Sequence, residues 1–289
     1  MSLKTDIEKI LSKFVGDNVT INDFSPVGGG SINETFKLST SDGSFFVKKN
    51  SASLYPNMFQ KEAKGLKILS DTNGIEIPEV IGVGESDDES FLILKFIDGG
   101  LKKTSFWEDF GQQLATLHKN TDEYFGLNHD NYIGSLEQFN NQHSSWSDFF
   151  REERLEKQVR LARNNGRIDK GIVVAFDRFY TKLDNIFPVE PSALLHGDLW
   201  GGNFMVNEVG SPVIIDPAVY YGNREMDLGM SQLFGGFDRQ FYISYNKHYP
   251  LENGWEERLE YCNLYPLLVH VNLFGGGYIQ SVKSILHKF

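Results

Sequence analysis

The sequence is poor in cysteine and has no long apolar segment. Its 289 residues include one cysteine, Cys262, which excludes an internal disulfide framework and suits a reducing compartment. No apolar run approaches the ~20 residues that a membrane-spanning helix needs. The opening residues, MSLKTDIEKI, lack the apolar core of a signal peptide. We therefore expect a soluble, cytoplasmic protein with no membrane partner.

Basic residues are also in deficit. The chain has 28 Lys and Arg against 39 Asp and Glu, a net charge of −11. Nucleic-acid-binding proteins usually carry a basic face, so we expect no nucleic-acid partner. The hydrophobic content of 40% and the charged content of 23% are ordinary for a globular protein. The length allows one large or two medium domains with a buried core.

The strongest chemical signal is the segment Leu194–Asn203, LLHGDLWGGN. Its HGD triplet ends at Asp198 and is followed by four residues and then Asn203. In the kinase catalytic loop, which has this spacing, the Asp accepts the proton of the attacking hydroxyl and the Asn binds a metal ion. A second apolar run, VIIDP at Val213–Pro217, contains Asp216 where such enzymes place a second magnesium ligand. The alternative is two β-turns with Asp as a turn residue, but spacing, order and flanking strands favour the kinase interpretation.

Phosphoryl transfer explains why these residue types occur together. The protein's contribution to that reaction is positioning and charge neutralisation. A carboxylate has to face the acceptor hydroxyl, and oxygen ligands have to hold hard Mg²⁺ ions against the phosphates.

A glycine run lies between two predicted β-segments, Asn22–Val27 and Glu34–Ser39. Backbone N–H groups in such a run can close over phosphates. A three-glycine hairpin turn is the alternative, since the run lacks the full G-x-G-x-x-G of protein kinases. The candidate phosphate-binding residues are Gly28, Gly29, Gly30 and Ser31.

A lysine and a glutamate further along the chain favour the interpretation of the glycine run as a phosphate-binding loop. Lys48 lies in the predicted strand Ser44–Lys49, whose FFVK is similar to the VAIK of kinases. Glu62 lies in the predicted helix Asn57–Ser70 and can hold a lysine that reaches the phosphates. A solvated surface Lys and Glu are the alternative. The competing Lys49 points to the other face of the strand.

The segment Ser90–Ile97, SFLILKFI, predicts a buried strand followed by a flexible DGG break. In kinase-like enzymes adenine binds backbone groups at this hinge, so Leu94, Lys95 and Phe96 are candidate nucleotide contacts. We expect residues 1–97 to form a nucleotide-binding lobe with the glycine loop, and residues 98–289 to form the catalytic and substrate lobe.

The second part of the chain is predicted to be mainly helical. We expect Asp227 to brace the catalytic loop through backbone N–H groups, with an ordinary first-turn Asp as the alternative. His118 is predicted to be structural, as a helix-end charge or cap. Residues 127–134 are predicted to form a polar loop. The predicted helices are Phe106–His118, Ser145–Leu161, Ile172–Leu183, Arg224–Phe234, Tyr242–His248 and the segments after Trp255.

These patterns together resemble the fructosamine (ketosamine) kinase family, within the protein-kinase-like and aminoglycoside-phosphotransferase-like fold. The resemblance extends from about Asp23 to the last helix. The motifs that carry it are FFVK (45–48), DNYIG (130–134), HGDLWGGN (196–203), IDPAVYYGNREMDLGM (215–230) and LFGGF (233–237).

The resemblance implies an α+β, bilobal fold and transfer of the ATP γ-phosphoryl to the sugar 3-hydroxyl of a ketosamine. The substrate would be an adduct of a free amino acid or a protein lysine, and its phosphorylated product would fall apart to free the amine. The implied roles are as follows: Asp198 orients and deprotonates the hydroxyl, Asn203 and Asp216 bind Mg²⁺, Lys48 grips the phosphates, Glu62 holds Lys48, and Trp200 packs on the sugar or anchors the loop.

The sequence departs from related patterns at two positions, and two other functions are alternative interpretations. Ser31 stands where some members have a cysteine, so no thiol switch is expected there, and Asp-Pro replaces the Asp-Phe-Gly of protein kinases. The first alternative is a kinase for another small hydroxyl substrate, such as an aminoglycoside or a choline-like amine. The second is a non-catalytic pseudokinase, but such proteins usually lose Lys48, Asp198, Asn203 or Asp216, which are all present.

Overall fold

The computed structural model describes residues 3–28 and 32–289. The predicted phosphate contacts Gly29, Gly30 and Ser31 lie outside these residues. The chain divides into two compact units, Met1–Lys103 with Met205–Asp216, and Thr104–Phe204 with Pro217–Phe289. The first unit thus ends six residues beyond the boundary expected from the sequence and takes in a later segment that was expected in the second lobe.

The first unit is built on a five-stranded antiparallel sheet. Its strand order is β1-β2-β3-β5-β4, and a tight turn at Ser41 and Asp42 joins β2 to β3. The predicted strands and the predicted helix Asn57–Ser70 are confirmed. The elements are α1 (Leu3–Val15), β1 (Ile21–Pro26), β2 (Glu34–Thr40), β3 (Gly43–Ser51), α2 (Met58–Ser70), β4 (Val80–Ser86) and β5 (Glu89–Lys95).

The alternation of side chains along β3 decides which lysine reaches α2. Phe45 and Val47 are buried in the apolar cluster that includes α1, while Phe46 packs against the cluster formed with α2. Because successive side chains of a strand point to opposite faces, Lys48 shares the α2 face and Lys49 does not. Lys49 instead lies 3.4 Å from Glu34 and 2.5 Å from Glu89.

The segment Met205–Asp216 joins the first unit through backbone pairing. The Gly100 N–H donates to the Val206 carbonyl, and the Ile214 N–H donates to the Glu76 carbonyl. The Asn207 amide also donates to the Glu76 carboxylate at 2.6 Å. Such long-range pairing has no local sequence signal, which is why the segment was assigned to the other lobe.

The second unit is mainly helical around one apolar core. It also contains a small sheet with the strand order β12-β9-β6, in which β9 precedes the catalytic loop and β12 follows it. Its elements are α3 (Phe106–His118), β6 (Thr121–Asp122), β7 (Asn131–Ile133), β8 (Leu136–Gln138), α4 (Trp146–Phe149), a π-helical turn (Phe150–Leu155), α5 (Glu156–Asn164), α6 (Lys170–Tyr180), α7 (Leu183–Ile186), β9 (Ser192–Leu195), β12 (Tyr220–Gly222), α8 (Glu225–Leu233), α9 (Arg239–His248), α10 (Trp255–Cys262), α11 (Leu264–Phe274) and α12 (Tyr278–Leu286); the remaining strands, β10 (Phe204–Val206) and β11 (Pro212–Ile214), pair with each other.

One local prediction in this unit was wrong, and another is confirmed with an irregular turn. The predicted loop at 127–134 contains β7, which pairs with β8. The predicted helix Ser145–Leu161 is confirmed as the contiguous elements α4, the π-helical turn and α5, and the π-helical turn carries the fully buried Arg154. The Arg154 guanidinium lies 4.0 Å from the centroid of the Tyr220 ring and donates to Asn140 at 2.7 Å. The π-helical turn thus coincides with a buried cation that is held by a ring face and a hydrogen bond.

No helix in the described part of the chain is both long and apolar enough to cross a membrane.

Candidate active site

Lys48 lies between two carboxylates in the first unit. Its Nζ donates to Glu62 Oε1 at 2.7 Å and also to Asp216 Oδ1. The Lys48 side chain is 4% exposed and that of Glu62 is 11% exposed, so this ion pair is shielded from solvent, whereas the Asp216 side chain is 46% exposed. Burial opposes the charge of Lys48, but Asp216 and Glu62 outweigh it and raise the pKa of Lys48. The ammonium is therefore charged at neutral pH, as a group that binds phosphate must be.

Asp216 has a left-handed backbone conformation, with φ of 56°. Such a φ is uncommon outside glycine, although Asp tolerates it better than most residues. The conformation falls at the end of β11, immediately before Pro217. Asp216 is the predicted metal ligand, and residues in sparsely populated backbone conformations cluster at functional sites.

The catalytic loop follows β9 and needs glycine at position 197. Gly197 has φ of 83°, and a Cβ there would clash with the carbonyl oxygen of Ala218. The Ala218 N–H donates to the carbonyl of His196 at 2.9 Å, so the loop is fixed against the segment before β12. The glycine of the HGD triplet therefore allows this close approach.

Asn203 is hydrogen-bonded to Asp198 twice within this loop. Its Nδ2 donates to the Asp198 carbonyl and to Asp198 Oδ2, each at 2.9 Å. The Asn203 N–H donates to the carbonyl of Trp200 at 2.9 Å, which closes the intervening turn. The two predicted site residues of this loop are thus brought together, and the carboxylate of Asp198 is oriented by a neutral donor.

Asp227 braces the loop from α8, as predicted. The backbone N–H groups of His196 and Gly197 donate to its two carboxylate oxygens at 2.8 and 2.9 Å. Burial acts to raise the pKa of Asp227, but His118, the nearby imidazole of His196 and the Gly197 N–H hold that pKa below its usual value. The buried carboxylate therefore stays ionised and keeps both hydrogen bonds.

His118 belongs to the same network, which the sequence did not predict. His118 is fully buried, and its Nε2 lies 3.1 Å from Asp227 Oδ2. Since a carboxylate only accepts, Nε2–H is the donor, and in the neutral ring Nδ1 accepts from the Tyr245 hydroxyl at 2.8 Å. The predicted helix-end role of His118 was wrong because tertiary contacts to α8 and α9 occupy both ring nitrogens.

Trp200 folds over the glycines that follow it. A Cβ at Gly202 would fall within the Trp200 ring, and Gly201 approaches the Gly235 carbonyl. The Trp200 ring is 38% exposed and makes an edge contact with Phe234 at 6.1 Å between centroids. The W-G-G sequence therefore lets the indole lie close to the loop with one part open to solvent.

The predicted nucleotide contacts of the first unit have mixed environments. Leu94 is buried, and the N–H groups of Lys95 and Phe96 donate to the carbonyls of Glu79 and Ser44. The Phe96 ring lies 4.1 Å from the Lys37 ammonium. Gly28 is exposed, with open space around its Cα. The assignment of these residues to the nucleotide stays a prediction.

A small cavity beside the loop includes residues that the sequence left without a role. Asp198, Tyr265 and His270 line a space of about 20 Å³, together with apolar side chains from α8 and α11. No motif near His270 in the sequence indicates a chemical role for it. Only the packing of α11 in the second unit places it beside the loop.

Comparison with known proteins shows strong similarity over the whole chain. The model of the fructosamine kinase family matches residues 3–289. A probable ketoamine kinase of Enterococcus faecium is 38% identical over 292 residues, covering 98% of this chain and 100% of the relative. A chloroplastic protein-ribulosamine 3-kinase of Arabidopsis thaliana is 40% identical over 283 residues, covering 95% of this chain and 84% of the relative.

Solved structures agree with this assignment. A putative fructosamine-3-kinase from Haemophilus somnus superposes with a TM-score of 0.88 at 29% identity and covers 99% of each chain. An aminoglycoside phosphotransferase, solved with AMP-PNP and hygromycin B, superposes with a TM-score of 0.64 at 16% identity and covers 98% of each chain; this likeness shows the fold alone. The fold predicted from the sequence, of the protein-kinase-like type, is thereby confirmed, and the chain belongs to the fructosamine kinase family.

Proposed function

We propose that this protein transfers the γ-phosphoryl group of ATP to the sugar 3-hydroxyl of a ketosamine. The observation that carries the proposal is the arrangement of Asp198, whose carboxylate is held by Asn203 on a loop that Asp227 braces. A positioned carboxylate can accept the proton of an attacking hydroxyl. The names of the two curated relatives, a ketoamine kinase and a ribulosamine kinase, support a ketosamine as the acceptor.

In this proposal the first unit holds the nucleotide. Lys48 contributes a buried ammonium to the phosphates, and Glu62 fixes its flexible stem. Gly28, Gly29, Gly30 and Ser31 supply backbone N–H groups to the phosphates, and residues 94–96 contact the adenine. The complex of the aminoglycoside phosphotransferase with AMP-PNP supports nucleotide use by proteins of this fold.

Asn203 and Asp216 are the residues that would bind Mg²⁺. An amide oxygen and a carboxylate oxygen suit this hard cation, which usually takes few side-chain ligands and completes its shell with water and phosphates. Both Nδ2 bonds of Asn203 go to Asp198, so the ligand atom would be Oδ1. When bound, Mg²⁺ neutralises charge that develops on the phosphates.

Asp198 takes the proton of the 3-hydroxyl as its oxygen attacks the γ-phosphorus, and ADP leaves. Trp200 packs its flat face on the sugar and keeps the hydroxyl in line. Phosphate at the 3-position is a better leaving group than hydroxyl, so the phosphorylated ketosamine falls apart and frees the amine. The activity would repair glycated amines.

We also propose that the protein acts in the cytoplasm. Cys262 is its sole cysteine and is buried, and burial raises the pKa of its thiol, which makes it unreactive. A single inert thiol suits a reducing compartment, and fractionation of cells that express the protein tests the location.

The proposed function is tested by ATP consumption with a panel of fructosyl-, ribulosyl- and erythrulosyl-lysine and of aminoglycosides. We expect turnover with at least one ketosamine and a phosphorylated product whose decay releases lysine. Turnover with an aminoglycoside alone, or with no acceptor, would overturn the assignment of the substrate.

A further inference from the structure

Aromatic rings beside the catalytic loop form one continuous strip, in which three rings are exposed and His270, which links them, is half-buried. The strip consists of Trp200, Phe234, His270 and Phe274, with ring centroids 6.1, 4.8 and 5.5 Å apart in that order. The exposed fractions are 38% for Trp200, 40% for Phe234 and 56% for Phe274. Single exposed aromatics are ordinary, but connected ones mark a binding surface.

The backbone keeps the two phenylalanines at the surface. Phe234 directly follows α8 and Phe274 ends α11, and each is followed by two glycines with positive φ, Gly235–Gly236 and Gly275–Gly276. Because glycine adopts this conformation without strain, each helix stops at the ring and the chain turns away from it. The rings remain uncovered by the segments that follow.

His270 connects the strip to the catalytic loop. Its Nδ1 donates to the Pro266 carbonyl at 2.8 Å, which fixes the ring, and it lines the same cavity as Asp198. That cavity has a volume of about 20 Å³, enough for roughly one water molecule. A ketosamine that reaches Asp198 therefore lies outside the cavity, where its amine-bearing end can continue over the strip.

We propose that the aromatic strip binds the peptide segment around a glycated lysine, so that protein adducts are preferred to free amino-acid adducts. This inference rests on the proposed function. Each step between neighbouring rings is comparable to the width of a sugar ring, so the sugar of a ketosamine covers only the part near Trp200. Phe234 and Phe274 then remain for the polypeptide. Aromatic faces also attract lysine and arginine side chains, and the net charge of −11 favours a basic segment.

The test compares kcat/KM for two forms of the same adduct. The probes are Nα-acetyl-lysine and a nine-residue lysine-rich peptide, each carrying the sugar on one lysine, prepared as fructosyl and as ribulosyl adducts. The measured quantity is the ratio of kcat/KM for the peptide to that for the acetyl-lysine. We expect Phe274→Ala and Phe234→Ala to lower this ratio about tenfold, the effect of losing an aromatic contact at an interface.

The matched control is Phe14→Ala, which removes a ring that is 47% exposed on α1, far along the sequence from the strip. The control should leave the ratio at its wild-type value, and melting temperatures show that each variant is folded. In one outcome, the wild type turns over the adducts while Phe274→Ala and Phe234→Ala give the same ratio as the control. That outcome would overturn the proposed role of the strip and leave the proposed function standing. Absence of wild-type turnover with every probe would overturn the proposed function, and the strip with it.

Discussion

Asp227 accepts the backbone N–H of His196 at 2.8 Å, although the two residues are 31 positions apart. This hydrogen bond ties the start of α8 to the loop that carries Asp198. The second carboxylate oxygen takes the Gly197 N–H, and His118 donates to the first. A buried charge is tolerated here because three donors surround it.

The first prediction concerns this brace. Asp227→Asn should destabilise the protein by about 1–3 kcal/mol, since the amide has one acceptor oxygen and can accept only some of the hydrogen bonds that the buried carboxylate accepts. Turnover should fall while KM for ATP changes little, because the loop moves and the nucleotide residues do not. Urea denaturation and steady-state kinetics measure both effects, with the exposed Asp184→Asn as control. Wild-type stability and turnover in Asp227→Asn would contradict the bracing role.

The second prediction is the pH dependence of the same residue. The folded-state pKa of Asp227 lies below its usual value, about 3.9 in an unfolded chain. Its contribution to stability is therefore complete above that pH and is lost as the pH falls through the lower folded-state pKa. As the pH falls below about 4, the free energy of unfolding should drop more steeply in the wild type than in Asp227→Asn. Parallel curves would show that Asp227 does not titrate differently on folding.

The third prediction concerns the proposed base. Asp198→Asn should lower kcat by at least ~10²-fold, because the isosteric amide cannot accept the proton. Its melting temperature should stay close to that of the wild type, since the half-buried side chain is not part of the apolar core. The exposed Asp177→Asn is the control for loss of one negative charge. Near wild-type turnover would remove Asp198 from the role of base.

The fourth prediction uses neighbouring lysines on opposite faces of β3. Mg-ATP at 100 times its dissociation constant should stabilise the wild type by about 2.7 kcal/mol, and Lys48→Ala should largely abolish this effect. Lys49→Ala should retain it, since Lys49 pairs with Glu34 and Glu89 and not with Glu62. Thermal unfolding with and without nucleotide measures the difference. An equal response of both variants would mean that another residue holds the phosphates.

The fifth prediction concerns the glycine beneath Trp200. Gly202→Ala should displace the indole and lower kcat/KM by about 10-fold to 10²-fold, the range expected when a substrate contact moves by about 1 Å. The melting temperature should change little because the ring can move toward solvent. Gly277→Ala, at a glycine with open space, is the matched control. Equal activity of the two variants would exclude Trp200 from substrate positioning.

Much of the local structure was predictable because its causes are local. Alternating residues in Ser44–Lys49 and the apolar stripe of Phe106–His118 each act within one element, so the elements formed as expected. The partnership of Lys48 with Glu62 also followed from strand phase and helix position. In contrast, the π-helical turn around Arg154 forms among contacts such as Tyr220, which is distant in the sequence. The strand β7 was missed although its partner β8 is close in the sequence, because its residues are polar and carry no apolar alternation.

The sequence alone determined the family, the order of the elements and the spacing from Asp198 to Asn203, since motifs and periodicity are properties of the chain itself. Tertiary structure decided what those residues touch. It placed the Met205–Asp216 segment in the first unit, gave His118 both of its partners, and brought Phe234 and Phe274 together through His270. The physical reason is that burial and hydrogen bonding select partners by distance in space, which separation along the chain does not specify.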